Sequence, residues 1–407
     1  MTKRRICIST YFGSEFGRQV LAGIGEAASA YDWDLTCVST ADLKPHLVSS
    51  FDGLICNVHS RGLAAEIARH RRPVVNLLHL DDKLETVPSV RTDHLKIGQL
   101  AAEHLYERRF VNFAYCGCQG IAFSDLRGAA FLSALEKLGR SVSVYAFKSR
   151  QTTQYITSDR LVRSASDAKS LTAWLRSLPK PIGIFCCNDE RASGLAEVCQ
   201  RIKLNVPSQV AILGVDNDTV IDYLSHPQIS SIDPDAQAVG RTAVEMLADQ
   251  FGNRKSRSPK NIRTVPPKRL IARGSTEIFP VQPEWLAQAL VFIHRNAAKN
   301  ISATDVVRHV GYSHTFVQRA FREKLDSTIQ REIARTRLAE ANRLLSLGEL
   351  KIGEIVKLCG FSSFQYFCNC YTSAFGHSPS QFSKASHAES PLRMPTGKAR
   401  RPGDCAT

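Results

Sequence analysis

From Arg5 onward, short apolar runs rich in β-branched residues alternate with stretches whose apolar positions recur every three or four residues. Such runs are strands buried on both faces, and the amphipathic stretches between them are helices that cover a parallel sheet. Strands are predicted at 5–9, 34–39, 53–58 and 73–77. Helices are predicted at 17–31, where Val20, Leu21, Ile24 and Ala27 share a face, and at 62–69. The pattern restarts with a helix at 96–107. It continues through strands at 112–116, 143–147, 183–187 and 210–215, and helices at 123–138, 166–177 and 191–201. Residues 1–276 therefore read as an α/β domain of two doubly wound lobes.

The period changes after a short connector, 277–284, which contains Phe279-Pro280-Val281-Gln282-Pro283. Trp285, Leu286, Ala289, Leu290 and Ile293 make a helical stripe, and no strand pattern follows it. Ser302 with Asp305 can cap a helix bearing Ala303, Val306, Val307 and Val310, which Gly311 ends and after which Ser313 caps the next. That next helix buries Val317 and Phe321 and leaves His314, Thr315, Gln318, Arg319 and Arg322 outside. Exposed Gln and Arg on a short helix are the groups that pair with adenine and guanine edges in a major groove. The arrangement recurs with Ile352, Ile355 and Val356, the turn Gly360-Phe361, the cap Ser363, and Phe367 and Tyr371 inside. Gly311 and Gly360 are 49 residues apart. The helical pattern between the units, 329–346, would run about 27 Å at 1.5 Å per residue, close to one DNA turn. An all-α domain with two helix-turn-helix motifs is expected over 285–385, and a disordered polar tail over 386–407.

The formal net charge of +15 suits a polyanionic partner. Residues 252–273 hold eight basic side chains and no acidic one, and with their Pro and Ser they are expected to be a solvated connector. Without them the preceding chain is near neutral, so only the last third is basic throughout. Twelve cysteines are present, but no signal-like N-terminus and no membrane-length apolar run accompanies them, so a cytoplasmic protein with reduced thiols is expected. Cys7, Cys56, Cys116, Cys186 and Cys187 lie in apolar runs as small hydrophobes. The Cys116/Cys118 and Cys368/Cys370 pairs lack the second ligand pair of a zinc site, so neither a metal nor a cofactor is expected.

In doubly wound sheets ligands sit beyond the carboxyl ends of strands. The polar residues there suit a small polyhydroxylated ligand: Asp93, Asn188, Asp189 and Asp216 to accept from hydroxyls, Arg127 to donate in a fork, and Phe16, Tyr11 or Phe12 to stack on a sugar face. Asp, Asn and Ser at these places also cap helices and close turns, and that alternative stays open.

Asn188-Asp189-Glu190-Arg191-Ala192-Ser193-Gly194, Gly214-Val215-Asp216-Asn217-Asp218, Ser230-Ser231-Ile232-Asp233-Pro234-Asp235-Ala236 and Arg273-Gly274-Ser275-Thr276 resemble the LacI-type ligand-sensing domain. That likeness implies a periplasmic-binding-protein-like fold, effector contacts from Arg127, Asn188 and Asp216, and a lobe crossing at Asp93. The N-terminal DNA-binding headpiece of those repressors is missing. Residues 285–384 resemble the AraC/XylS DNA-binding domain through Gly311-Tyr312-Ser313, Arg337-Leu338-Ala339-Glu340-Ala341, Cys359-Gly360-Phe361-Ser362-Ser363 and Phe375-Gly376-His377-Ser378-Pro379. By that pattern Thr315, Gln318 and Arg319 read DNA from the first unit, and Ser363, Gln365, Tyr366 and Asn369 from the second. Asn369 departs from the Arg usual there.

The combination is similar to the xylose-operon regulator family. It implies a homodimeric activator that binds double-stranded DNA, responds to D-xylose or a related sugar, and has RNA polymerase as a further partner. A redox-responsive regulator and a carbohydrate transport component are the alternatives.

Overall fold

The apolar runs of the first lobe pair as parallel strands because both of their faces are covered. β1 (Arg4–Ser9) lies between β2 (Trp33–Cys37) and β3 (Gly53–Cys56), followed outward by β4 (Val74–Asn76), β5 (Ser89–Thr92) and, from far along the chain, β11 (Ile262–Val265). Along β1 the side chains alternate. Ile6 and Ile8 join Val20 and Ile24 of α1 (Glu15–Ala28), and Cys7 joins Leu63 and Ile67 of α2 (Arg61–His70). The computed structural model describes residues 3–39, 42–58, 61–77, 87–148, 165–252, 258, 261–348 and 350–386. It divides the chain into two units, Met1–Glu277 and Ile278–Thr407.

The second lobe of the first unit repeats the plan in the order β12-β10-β9-β8-β6-β7. Its strands are β6 (Phe113–Gln119), β7 (Val142–Lys148), β8 (Ile182–Cys186), β9 (Val210–Val215), β10 (Ser230–Asp233) and β12 (Arg269–Ile271), the last antiparallel to β10. Around them run α3 (His94–Glu107), α4 (Ala122–Glu136), α5 (Ala165–Ser177), α6 (Asp189–Arg201) and α7 (Thr219–Leu224). α8 (Ala236–Gly252) returns to the first lobe, where Val239, Ala243 and Val244 pack beside Ile24.

The chain thus crosses between lobes three times, at 92–94, 233–236 and 265–269. The crossings are bonded at their bases: the Asp93 amide donates to the Val265 carbonyl at 2.8 Å, and the Lys268 amide to the Asp233 carbonyl at 2.9 Å. Residues 252–273 correct the connector expectation, since β11 and β12 lie within them. Their basic side chains hid the strands: Arg263 sits outward, 3.4 Å from Glu245 and 3.1 Å from Asp249 of α8, while Val265, two residues on, is buried.

In the second unit α9 (Glu284–Asn296), α10 (Ala303–Val310) and α11 (His314–Leu325) enclose one core, and α13 (Ile352–Leu358), α14 (Phe364–Phe375) and α15 (Pro379–Ser386) another. α12 (Ile329–Leu347) serves both, giving Ile329 and Ile333 to the first and Leu338, Ala341 and Leu345 to the second. The sequence-read connector is partly core: Phe279 is buried, with its ring 5.2 Å from His294. Residues 387–407, most of the expected tail, lie outside the described residues.

α1 and α8 approach so closely that a side chain has no room at the contact. A Cβ on Gly23 would stand 2.0 Å from the Gln237 carbonyl oxygen, and one on Gly240 2.2 Å from that of Val20. Gly240→Ala should therefore lower stability by about 1–3 kcal/mol in urea unfolding, despite the better helix propensity of Ala. A neutral result would mean that the helices separate freely.

Candidate effector cleft and DNA-reading helices

Beyond the ends of β8 and β9 a short stretch of chain is held in an unusual shape. Asp216 has φ of 106° and Asn217 of 52°, a region disfavoured for residues other than glycine, so the surroundings must impose it. They do so with Ser231 Oγ, which accepts from the Asn217 amide at 2.9 Å, and with Arg273, which donates to Asn217 Oδ1 at 2.6 Å and pairs with Asp222 at 3.0 Å. Beneath lies Asp189, buried, accepting from the Asp218 amide at 2.8 Å and the Ser231 hydroxyl at 2.7 Å. Burial pushes its carboxyl well above the usual range. Gly214 makes room for it, because a Cβ there would stand 2.0 Å from Asp189 Oδ1.

Above this base the Arg127 guanidinium, 3% exposed, donates to the Cys187 carbonyl at 2.5 Å, lies 3.5 Å from Asp216 Oδ1, and faces the Phe123 ring at 5.1 Å. Asp216 Oδ1 is shielded from solvent and has no hydrogen-bond partner. Burial raises the Asp216 carboxyl to about 6, with Arg127 pulling against it. A fork of donors beside an under-satisfied carboxylate is a pair that vicinal hydroxyls can complete. Between the lobes a cleft of about 350 Å³ is lined by Gly13, Glu15 and Arg18 from the first and Glu190, Asp218, Val220 and Ile221 from the second.

In the second unit, both candidate reading helices begin with a serine cap. Ser313 Oγ accepts from the Phe316 amide at 3.4 Å, and Ser363 Oγ from the Tyr366 amide at 3.1 Å. Gly311 and Gly360 hold φ of 75° and 76°. The core positions Val317, Phe321, Phe367 and Tyr371 are fully buried, so the opposite faces of α11 and α14 look outward.

Two family models match these units: a periplasmic binding protein-like domain over residues 102–276 and a helix-turn-helix domain over 306–385. The xylose operon regulatory protein of Escherichia coli K12 is 28% identical over 94% of this chain and 97% of its own length. That of Haemophilus influenzae is 26% identical over 94% and 99%. A solved structure of the xylose-binding transcription activator XylR covers 95% of this chain and 99% of its own, at 26% identity and a TM-score of 0.57. The chain is a DNA-binding transcription regulator, similar over nearly its whole length to these xylose regulators.

In this regulator the sequence-predicted effector residues fall into three places. Arg127, Asn188, Asp189 and Asp216 come together in the second lobe. Asn188 is also the cap of α6, accepting from the Arg191 amide at 3.0 Å, and Asp93 at a crossing caps α3, accepting from Lys96 at 2.8 Å. Phe16 lies on α1, partly buried against the first-lobe core. Arg18, Phe123, Asp218 and Arg273 escaped the sequence reading. Asp218, an acceptor two residues past a strand-end Asp and just before a helix, was the legible one.

On the reading helices His314, Thr315, Arg319 and Arg322 are exposed, whereas Gln318 is half-buried and donates to Gln330 of α12 at 3.2 Å. Arg319 lies over the Phe316 ring at 5.9 Å. Gln365 donates to Asn369 at 3.2 Å, and Tyr366 is exposed. The caps Ser313 and Ser363 are 50 residues apart, against 49 for the glycines, because the second turn is one residue longer. Arg319 therefore matches Asn369 in position.

A carboxyl whose folded pKa is about 6 rather than 3.8 gives the native state extra protons between those values, so native stability falls as pH rises through that window. Asp216→Asn should accordingly stabilise the unliganded regulator at pH 7.5 by about 1–3 kcal/mol, with the gain fading toward pH 4. Thermal melts across pH 4–8 measure it, and a loss of stability at pH 7.5 would contradict it.

Proposed function

We propose that this regulator senses D-xylose or a related sugar at Arg127 and Asp216, with Asn188 and Asp189 shaping the site, Phe16 facing it from the other lobe and Asp93 at the hinge. The observation that carries the reading is the buried guanidinium and under-satisfied carboxylate at strand ends, in a chain whose full-length relatives are named as xylose regulators. Two copies associate through their sensors; Tyr223 and Leu224 of α7, 79% and 77% exposed, are apolar surface that a second copy would cover. Sugar closes the cleft and shifts the reader pair toward a DNA-gripping arrangement, which recruits RNA polymerase as an activator does. His314, Thr315, Gln318, Arg319 and Arg322 then read from α11, and Ser363, Gln365, Tyr366 and Asn369 from α14. The chain is read as a binding protein rather than an enzyme, acting on cytoplasmic DNA; no described helix is long and apolar enough to cross a membrane. Against redox sensing stand the thiols: burial pushes Cys7, Cys199 and Cys359 up to about 12, and a protonated thiol is a poor nucleophile.

Sugar and DNA affinity are linked in this scheme, each raising the other. Anisotropy titrations of promoter DNA should show at least roughly tenfold tighter binding with D-xylose, a coupling in the usual 1–3 kcal/mol range; equal affinities would sink the scheme. Arg319→Ala should weaken specific binding by about 1–3 kcal/mol and relax base preference if the guanidinium grips a guanine edge. Unchanged preference would assign it to phosphate. Tyr223→Asp should shift sedimentation toward the monomer, and an unaltered dimer would remove α7 from the interface.

A further inference from the structure

The two reading helices differ in chemistry although their caps and cores match. α11 carries Arg319, Arg322 and Lys324, whereas α14 holds no charged side chain along its whole length. Guanine is read chiefly by the paired donors of Arg or Lys, so α14 lacks the group that grips its O6 and N7. Its exposed first turn is aromatic and amide instead, with Phe364, Gln365 and Tyr366 all open to solvent.

Phe364 is the first residue of α14, directly after the Ser363 cap, the place that His314 holds on α11. It is 52% exposed and lies outside the core that takes in Phe367, Tyr371 and Phe375. A phenyl ring left in water forgoes hydrophobic stabilisation, and the start of a reading helix is where base edges come closest. The apolar group on those edges is the C5 methyl of thymine.

Gln365 and Asn369 are one turn apart on one face, and Gln365 Nε2 donates to Asn369 Oδ1 at 3.2 Å. That bond uses a donor of the first and a lone pair of the second. It leaves Gln365 Oε1 to accept and the Asn369 amide to donate. Adenine presents the complement, an N6 donor beside the N7 acceptor, while guanine presents two acceptors and sets one against Gln365 Oε1.

We infer that α14 selects A·T base pairs, with Phe364 covering a thymine methyl and the Gln365–Asn369 pair reading a neighbouring adenine. The two halves of the DNA site then differ in composition, because the arginines that suit guanine lie on α11. The inference rests on the reading of α14 as a helix that enters a major groove.

Enrichment of random-sequence duplexes on the full chain, repeated with Phe364→Ala and Gln365→Ala, tests it. The enriched site is then titrated by anisotropy with uracil in place of thymine, which removes only the methyl. The wild-type site should contain an A·T element whose preference both substitutions relax. Uracil in that element should weaken wild-type binding about fourfold, the worth of one methyl-sized group withdrawn from apolar contact, and leave Phe364→Ala unchanged. An element that relaxes in both variants but is made of G·C pairs overturns the A·T assignment. Uracil that has no effect on the wild type, or weakens Phe364→Ala equally, overturns the Phe364 contact alone. If neither substitution relaxes any element, α14 does not read bases, and the inference falls with that reading.

Discussion

A carboxylate with one oxygen shielded from water, beside the buried Arg127 guanidinium, governs much of the first unit. Asp216 is raised to about 6 by burial, with Arg127 pulling against it, and its Oδ1, 3.5 Å from that guanidinium, has no hydrogen-bond partner. The neighbouring chain is built to keep it there. Arg273, Asn217, Ser231 and Asp189 fix backbone angles that the chain would otherwise avoid, and Gly214 leaves space for Asp189.

The alternating pattern of strands and helices was legible because strands covered on both faces leave continuous apolar runs, as Leu54, Ile55 and Cys56 do. The strands that escaped were those whose apolar content is diluted. β5 sets Ser, Arg and Thr around one Val, β10 sets two Ser and an Asp around one Ile, and β11 and β12 sit among eight cations. A solvent-facing Arg in an edge strand looks the same in sequence as one in a loop. Only the partner strand and the ion pairs of Arg263 distinguish them.

The candidate effector residues were read as polar groups near strand ends but not as a ranked set. Asp93 and Asn188 cap helices while Arg127 and Asp216 face each other, and local sequence is the same for both roles. Arg18 was invisible, being one exposed arginine among 53 basic residues until the fold brought it opposite Asp218. In the reader the capping serines and buried aromatics were read directly, because they follow rules of a single turn. The tie of Gln318 to α12 depends on packing between helices and was not.

The shared helix α12 sets an angle as well as a distance. At 100° per residue the side chains it gives to the first core, Ile329 and Ile333, point roughly 130° around the axis from the centre of Leu338, Ala341 and Leu345. It therefore acts as a rigid shaft with two keyways. Adding or removing one residue between Ile333 and Leu338 would turn one reading helix against the other by about 100°, far more than a duplex could follow. The rotational phase between the two helix-turn-helix cores is thus written into the five-residue step from Ile333 to Leu338.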